Sequence, residues 1–248
     1  QYMDGVDIQP EDLYLAYREK KQLPKTAAIS SMEFYEYFKQ WVEEGYEVIH
    51  INLGSALSAA HQNCRVAAQE LGHVYVIDSC SLSTGMGLLV IEAGRRISHG
   101  MPAEQIYQEV SALATHSHAS FILDTLEFMH AGGRCSAVTA LGANLLRLKP
   151  CIEVNNLRGG AMNVGKKYRG NLEKVLPQYT RDKLADRADL VLDRVFITHS
   201  GISEKYIDLV RNTIQEVADF REICVTRASC TISCHCGPNT LGVLFLTK

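Results

Sequence analysis

The chain has 248 residues, 46% of them hydrophobic and 21% charged, with a formal net charge of −3. That length suits one large or two modest domains, and the slight acidic balance lacks the basic excess typical of nucleic-acid binders. No apolar run reaches the roughly 18 residues of a membrane span, and no signal-peptide pattern opens the chain. Eight cysteines are too sparse for a disulfide scaffold in a chain this long, so a reducing, cytoplasmic setting is expected.

In chain order, Glu11 to Lys20 reads as a short helix after Pro10, broken by Pro24-Lys25-Thr26. Ser30-Ser31-Met32-Glu33 reads as a capping box. Phe34, Phe38, Trp41 and Val42 follow at helical spacing, and Gly45 closes that helix. Val48–Leu53 is an apolar strand that stops at Gly54, with Ser55 and Ser58 just beyond. A second long helix is expected over Ala56–Leu71, with Leu57, Ala60, Cys64, Ala67, Ala68 and Leu71 on its inner face. Val74–Ile77 is a second strand with Asp78-Ser79 at its carboxyl end. Helices follow over Thr84–Ser98 (Met86, Leu89, Val90, Ala93 and Ile97 inward) and from Pro102 (Ile106, Val110 and Leu113 inward). Strands separated by helices of this length imply a mostly parallel sheet.

The polar string Thr115-His-Ser-His-Ala-Ser120 reads as a loop and a domain boundary. Beyond it the pattern gives a strand at Phe121–Leu123 and a short helix over Leu126–His130, ended by Gly132-Gly133. A helix over Ser136–Leu148 is stopped by Pro150. Ile152–Val154 and Ala161–Val164 flank a hairpin turn at Asn156–Gly160. The rest gives a helix over Asn171–Ala188, kinked or split by Pro177, strands at Val195–Thr198, Ile223–Thr226 and Leu241–Leu246, and a helix over Ser203–Asp219. The fold class is therefore α/β. Two α/β domains are expected: residues 1–114 with a mostly parallel sheet, and 115–248 with a mixed or antiparallel one.

Gly54–Ser58 lies where open α/β sheets bind ligands, beyond the carboxyl ends of the strands. A helix N-terminus there offers free N–H groups to an anion; the plain alternative is that both serines are helix caps. Gly54-Ser55-Ala56-Leu57-Ser58 lacks the glycine frame of a nucleophile elbow. Three cysteines and His235 crowd into Cys230–Cys236, but structural zinc sites draw on two separated ligand pairs, and alternate side chains of an extended segment would face apart. His235, before Gly237-Pro238, sits at a turn and either points into a cleft or is a hydrogen-bonded buried histidine. Arg134 follows a double glycine, as a guanidinium set near a site or as a solvated surface Arg at a helix end, and Lys166–Gly170 is a basic run that is either a solvated turn or a docking patch. No P-loop, G-x-G-x-x-G or H-E-x-x-H is present, so spacing alone favours a binder over an enzyme, with no metal and no cofactor.

Several short motifs then occur in a recognisable order. Tyr2–Ile8, Pro24-Lys25-Thr26, Ser55-Ala-Leu-Ser58, Val76–Ser79, Gly132-Gly133-Arg134, Leu148-Lys-Pro150, Lys167–Gly170 and His235–Pro238 resemble motifs of the DegV family, lipid-binding proteins that include the B subunit of bacterial fatty acid kinase. The resemblance implies a fatty acid between two domains, its carboxylate held by Thr26, Ser58 and His235 with Arg134 at the same end. Ser55, Ala59 and Ala27 fall beside that set. Arg169 and Lys167 fall where the family docks an ATP-dependent kinase subunit, which would make the acyl phosphate. Ala27-Ala28-Ile29 replaces the family's Ser-Gln-Pro, and Ala59-Ala60 its Gly-Thr, so this head-group wall is less polar. Asn239 replaces the last glycine of a Gly-Pro-Gly, and the family's opening strand and Asp-Ser-Thr-like loop do not precede Gln1. A hydrolase using Ser58 with His235, and metal binding through the cysteines, are the competing readings.

Overall fold

The computed structural model describes residues 2–23, 25–134 and 148–248. Pro24, Cys135 and nearly all of the helix expected over Ser136–Leu148 lie outside them. By contact the chain groups into two discontinuous units. One gathers Gln1–Thr26, Ala119–Glu153 and Met162–Lys248; the other gathers Ala27–His118 and Val154–Ala161. The single cut expected after residue 114 differs from this grouping, because the first 26 residues and the hairpin tip each belong with sequence-distant partners.

The unit centred on Ala27–His118 begins with α2 (Ser31–Glu43), following α1 (Pro10–Lys20) of the other unit. Ser30 Oγ accepts from Glu33 N while the Glu33 carboxylate accepts from Ser30 N, the expected capping box. Strands β1 (Val48–Asn52) and β2 (Val74–Asp78) pair in parallel, Val48 opposite Val74 and Asn52 opposite Asp78. Between them runs α3 (Ala60–Leu71), and after them α4 (Ser83–Ser98) and α5 (Ala103–Leu113). Phe34, Phe38, Cys64 and Ala67 form the core, with Val48, Val74 and Val76 against it. Trp41 is 40% exposed and packs on Tyr46 instead of the core. In α4, Leu88, Leu89 and Ala93 face inward together with Gly85, while Val90 and Ile97, expected inward, are exposed.

The other unit is built on a six-stranded sheet, ordered β5-β4-β3-β8-β6-β7. Its strands are β3 (Ser117–Ile122), β4 (Leu148–Asn155), β5 (Ala161–Arg169), β6 (Leu190–His199), β7 (Ile223–Arg227) and β8 (Leu241–Thr247). β6 runs parallel to β7 and antiparallel to β8, so the sheet is mixed as expected. Besides α1, the helices among its described residues are α6 (Glu127–Gly132), α7 (Leu172–Leu184), α8 (Glu204–Val217) and α9 (Cys230–Cys236). Tyr179, Leu176, Val210, Ile214, Val195, Ile197, Val243 and Phe245 centre the core. Asn171 caps α7 through Lys174 N. Pro177 does not split α7, because Val175, Leu176, Tyr179 and Leu184 bury one continuous face.

Four local expectations are corrected. The string at 115–120 is not a loop: a short 3₁₀ turn, Ala114–His116, leads into β3, which is largely buried. Its serines are satisfied inside, Ser117 Oγ donating to Gly85 O and Ser120 Oγ lying 2.9 Å from Tyr179 Oη. Pro150 stands inside β4. The cysteine segment is helical, not extended. The helix expected from Ala56 starts at Ala60, because residues 54–59 spend their backbone groups on turns.

Candidate functional site

Thr26 and His235 are 209 positions apart in sequence, yet Thr26 Oγ1 lies 3.0 Å from His235 Nε2. Three local devices in the same unit hold His235 there. Asp4, in the segment before α1, caps α9: its carboxylate accepts from Cys230 N and Thr231 N, each at 2.8 Å. Burial alone would raise the Asp4 pKa, but the bonds from Thr231 and Cys230 outweigh it and hold the carboxyl below its ordinary value. Second, α1 packs on α9, with Leu13 against Cys230 and Cys234. Third, the chain leaves α9 through Gly237 (φ +74), where a Cβ would collide with the Phe128 ring. Asn239 (φ +59) takes the left-handed conformation, which Asn tolerates better than most residues, and donates through Nδ2 to Asp124. Lys149 also donates to Asp124.

The imidazole is neutral. Burial, with the Arg134 guanidinium second, lowers the His235 pKa to about 4. Its Nδ1 is buried and has no hydrogen-bond partner among the described residues. What meets Nδ1 is Gly132, at the end of α6: a Cβ there would fall inside contact distance of that nitrogen. Arg134 is exposed and its Nη1 donates to Gly132 O at 2.7 Å, a cation on the last carbonyls of a helix.

Ser58 belongs to the other unit and is half-buried, its Oγ accepting from Ala60 N at 3.2 Å. It therefore starts α3 by a short turn, with Ala59 at the formal cap position. The generic anion cradle expected at Gly54–Ser58 is largely committed internally. Ser55 N donates to Asp78, Ala56 N to Gly159 O and Leu57 N to Gly54 O. The Asp78 carboxylate also accepts from Cys80 N, so it joins the ends of β1 and β2. Ser55, Ala59 and Ala27 are exposed.

Thr26, His235 and Arg134 are thus brought into one neighbourhood, and Ser58 stands in its own unit, its Oγ accepting from Ala60 N. Lys167 and Arg169 are exposed on β5, an edge of the sheet, while Lys166 pairs with Asp182 at 2.6 Å. Among the described residues no group of three His, Cys, Asp or Glu side chains could hold a metal ion, and no helix is long and apolar enough to cross a membrane. Sequence reasoning missed Gly132 and Asp4 as the supports of His235. Both lie in motifs it noticed, but neither contact is local.

The fold has known relatives. A DegV domain-containing protein of Deinococcus radiodurans is 29% identical over 251 residues, covering 98% of this chain and 85% of its own length. One from Clostridium perfringens is 33% identical over 176 residues, 70% of this chain and 62% of its own. Among solved structures, a DegV family protein from Thermus thermophilus, described for its fatty acid binding, matches with a TM-score of 0.87 at 26% identity, covering 100% of this chain and 87% of that one. A Ruminococcus gnavus member, solved with vaccenic acid, shares the fold at a TM-score of 0.85 and 20% identity over 98% of this chain and 87% of its own. Residues 1–248 match the family described as "Uncharacterised protein, DegV family"; with motifs, fold and full-length match in agreement, the chain belongs to the DegV family.

Proposed function

We propose that this protein binds a long-chain fatty acid and holds its carboxylate at the Thr26–His235 pair. The observation that carries this reading is the 3.0 Å approach of a hydroxyl to a neutral, buried imidazole. The Thermus thermophilus relative, described for fatty acid binding, supports the ligand class. Neutral donors hold a carboxylate by hydrogen bonds without locking it in a strong ion pair, which leaves an acid oxygen open to reaction. Affinity then comes from the tail, at about 0.8 kcal/mol per buried CH₂, less the costs of association and ordering. Ser58 enters as a further hydroxyl donor and Arg134 as a nearby positive charge; both rest on the family motifs. Ser55, Ala59 and Ala27 complete the proposed surroundings.

The finer proposal is that the bound acid is presented to an ATP-dependent kinase subunit, with Arg169 and Lys167 on the exposed edge strand as docking contacts. The competing hydrolase reading needs a carboxylate on the far side of the histidine ring, and Nδ1 meets Gly132 there instead. Lipid mass spectrometry of organic extracts of the purified protein tests the main reading. A protein that yields no fatty acid, and takes up none on titration, refutes it. Arg169→Ala should lower acyl-phosphate formation with a kinase and ATP while leaving fatty-acid titration unchanged.

A further inference from the structure

The ring of His235 has one nitrogen against a hydroxyl and the other against a glycine. Turning the ring over would place Cε1 opposite Thr26 Oγ1 and forfeit that bond, so the orientation is set by Thr26. What remains open in a neutral imidazole is which nitrogen carries the proton. The direction in which a Cβ of Gly132 would meet Nδ1 is filled by a glycine α-hydrogen. That hydrogen points at Nδ1. A lone pair accepts such a contact as a weak C–H interaction, whereas an N–H would bring hydrogen against hydrogen and leave a buried donor without an acceptor.

We infer that Gly132 is a positioning residue that fixes His235 as the Nε2–H tautomer, so that the Thr26 hydroxyl proton is turned away from the ring and toward the ligand. In this tautomer Nε2–H donates to Thr26 Oγ1. Thr26 has a single proton, and with its oxygen occupied as an acceptor that proton is free for an acidic oxygen. In the other tautomer Thr26 would donate to the ring and present only a lone pair, which repels a carboxylate. The histidine thus acts through the threonine: it chooses the sign of the group offered at the site. Arg134, donating to Gly132 O, ties the end of α6 from outside and helps keep the glycine in place.

The identity of the acid rests on the proposed function; the tautomer does not. Long-range ¹H–¹⁵N imidazole correlation at pH 7 on ligand-stripped, ¹⁵N-labelled protein reads the tautomer directly, with His235→Gln assigning the signals. The expected result is a single species with a protonated Nε2 and a bare Nδ1. A protonated Nδ1, or fast exchange between the tautomers, overturns the inference. Gly132→Ala should abolish the single-species pattern. If that variant does not fold, the wild-type spectrum still decides. Titration with a labelled long-chain fatty acid supplies the second arm. Thr26→Ser should bind within about threefold of wild type, and Thr26→Val at least tenfold more weakly; equal binding by Thr26→Val overturns the outward donor. A clean Nε2–H spectrum from a protein that binds no fatty acid refutes the function and leaves the tautomer standing.

Discussion

His50 and His235 are both neutral at pH 7, because folding strips water from them. Burial lowers each to about 4, helped by His61 for His50 and by Arg134 for His235. His50 sits on Phe34 and Phe38, with ring centroids 5.4 and 5.2 Å away. The unfolded chain takes up these protons near the ordinary histidine value of about 6.5, whereas the folded chain resists them until about 4. The unfolded state therefore binds more protons across that window, so stability is complete above it and is lost as pH falls from about 6.5 to 4. Urea unfolding at pH 7 and pH 5 should show the drop, and His50→Phe, which keeps the aromatic stack, should make it shallower. A drop of unchanged size would exclude His50 as a contributor. Tyr179 is fully buried and its Oη donates to Ser120 O and accepts from Val243 N. Tyr179→Phe takes the hydroxyl from these two groups and from Ser120 Oγ and should cost about 1–3 kcal/mol in the same assay.

At the level of elements, local pattern foretold what local forces build. The capping box at Ser30, Asn171 at the start of α7 and the glycines that end α2 and α3 were all legible, since each acts within four residues. Three elements were legible only in part or not at all. The end of β3 was read as the strand Phe121–Leu123, but its start hid behind a polar string because its serines find partners 32 and 59 positions away. The α9 segment hid although Ser229 stands at its N-cap: that serine side chain makes no capping bond, and the cap comes instead from Asp4, 226 positions before Cys230. Helix α3 starts late because the N–H groups of Ser55 and Ala56 bond to Asp78 and Gly159. The candidate site divides in the same way. Thr26, Ser58 and His235 are proposed from motif order, but the supports of His235 were not visible, because a glycine facing a ring nitrogen leaves no mark in periodicity. Asp4→Ala is the test at this scale. It should cost about 1–2 kcal/mol, as a lost helix cap does, and should also weaken fatty-acid binding by loosening α9 under His235. Lost stability with unchanged binding would show that α9 holds His235 without its cap.

Across the whole molecule, the chain passes between its two units at 26/27, 118/119, 153/154 and 161/162. The polar string at 115–120, read as a boundary, spans one of these crossings, while the other three were not read from the sequence; the early segment joins the later unit through contacts of α1 with α9, Ser200, Phe128 and Arg227. A ligand that binds the native state alone raises its stability by mass action. Fatty acid at a hundredfold excess over its Kd should add about 2.7 kcal/mol to the unfolding free energy. Thr26→Val at the same concentration should gain far less. Equal gains in both would place the binding energy elsewhere.

The hairpin tip at 155–160 has one more consequence, for proteases. Leu157 is 76% exposed and Arg158 is exposed beside it, so the tip presents an inviting tryptic sequence. Its backbone is less accommodating: Arg158 N and Gly160 N both donate to Asn155 O, Ala161 N donates to Arg158 O, and Gly159 O accepts from Ala56 N. A protease must draw the strand out of this knot before it can cut, so cleavage after Arg158 should be slow and should follow the opening of the Gly54–Ser58 turn. Gly159 (φ +58) has Ser55 Oγ where a Cβ would go, so Gly159→Ala should turn a resistant tip into the first tryptic nick, read by mass spectrometry of the early fragments. The same serine turn that began as a candidate anion site thereby becomes a latch whose opening can be timed.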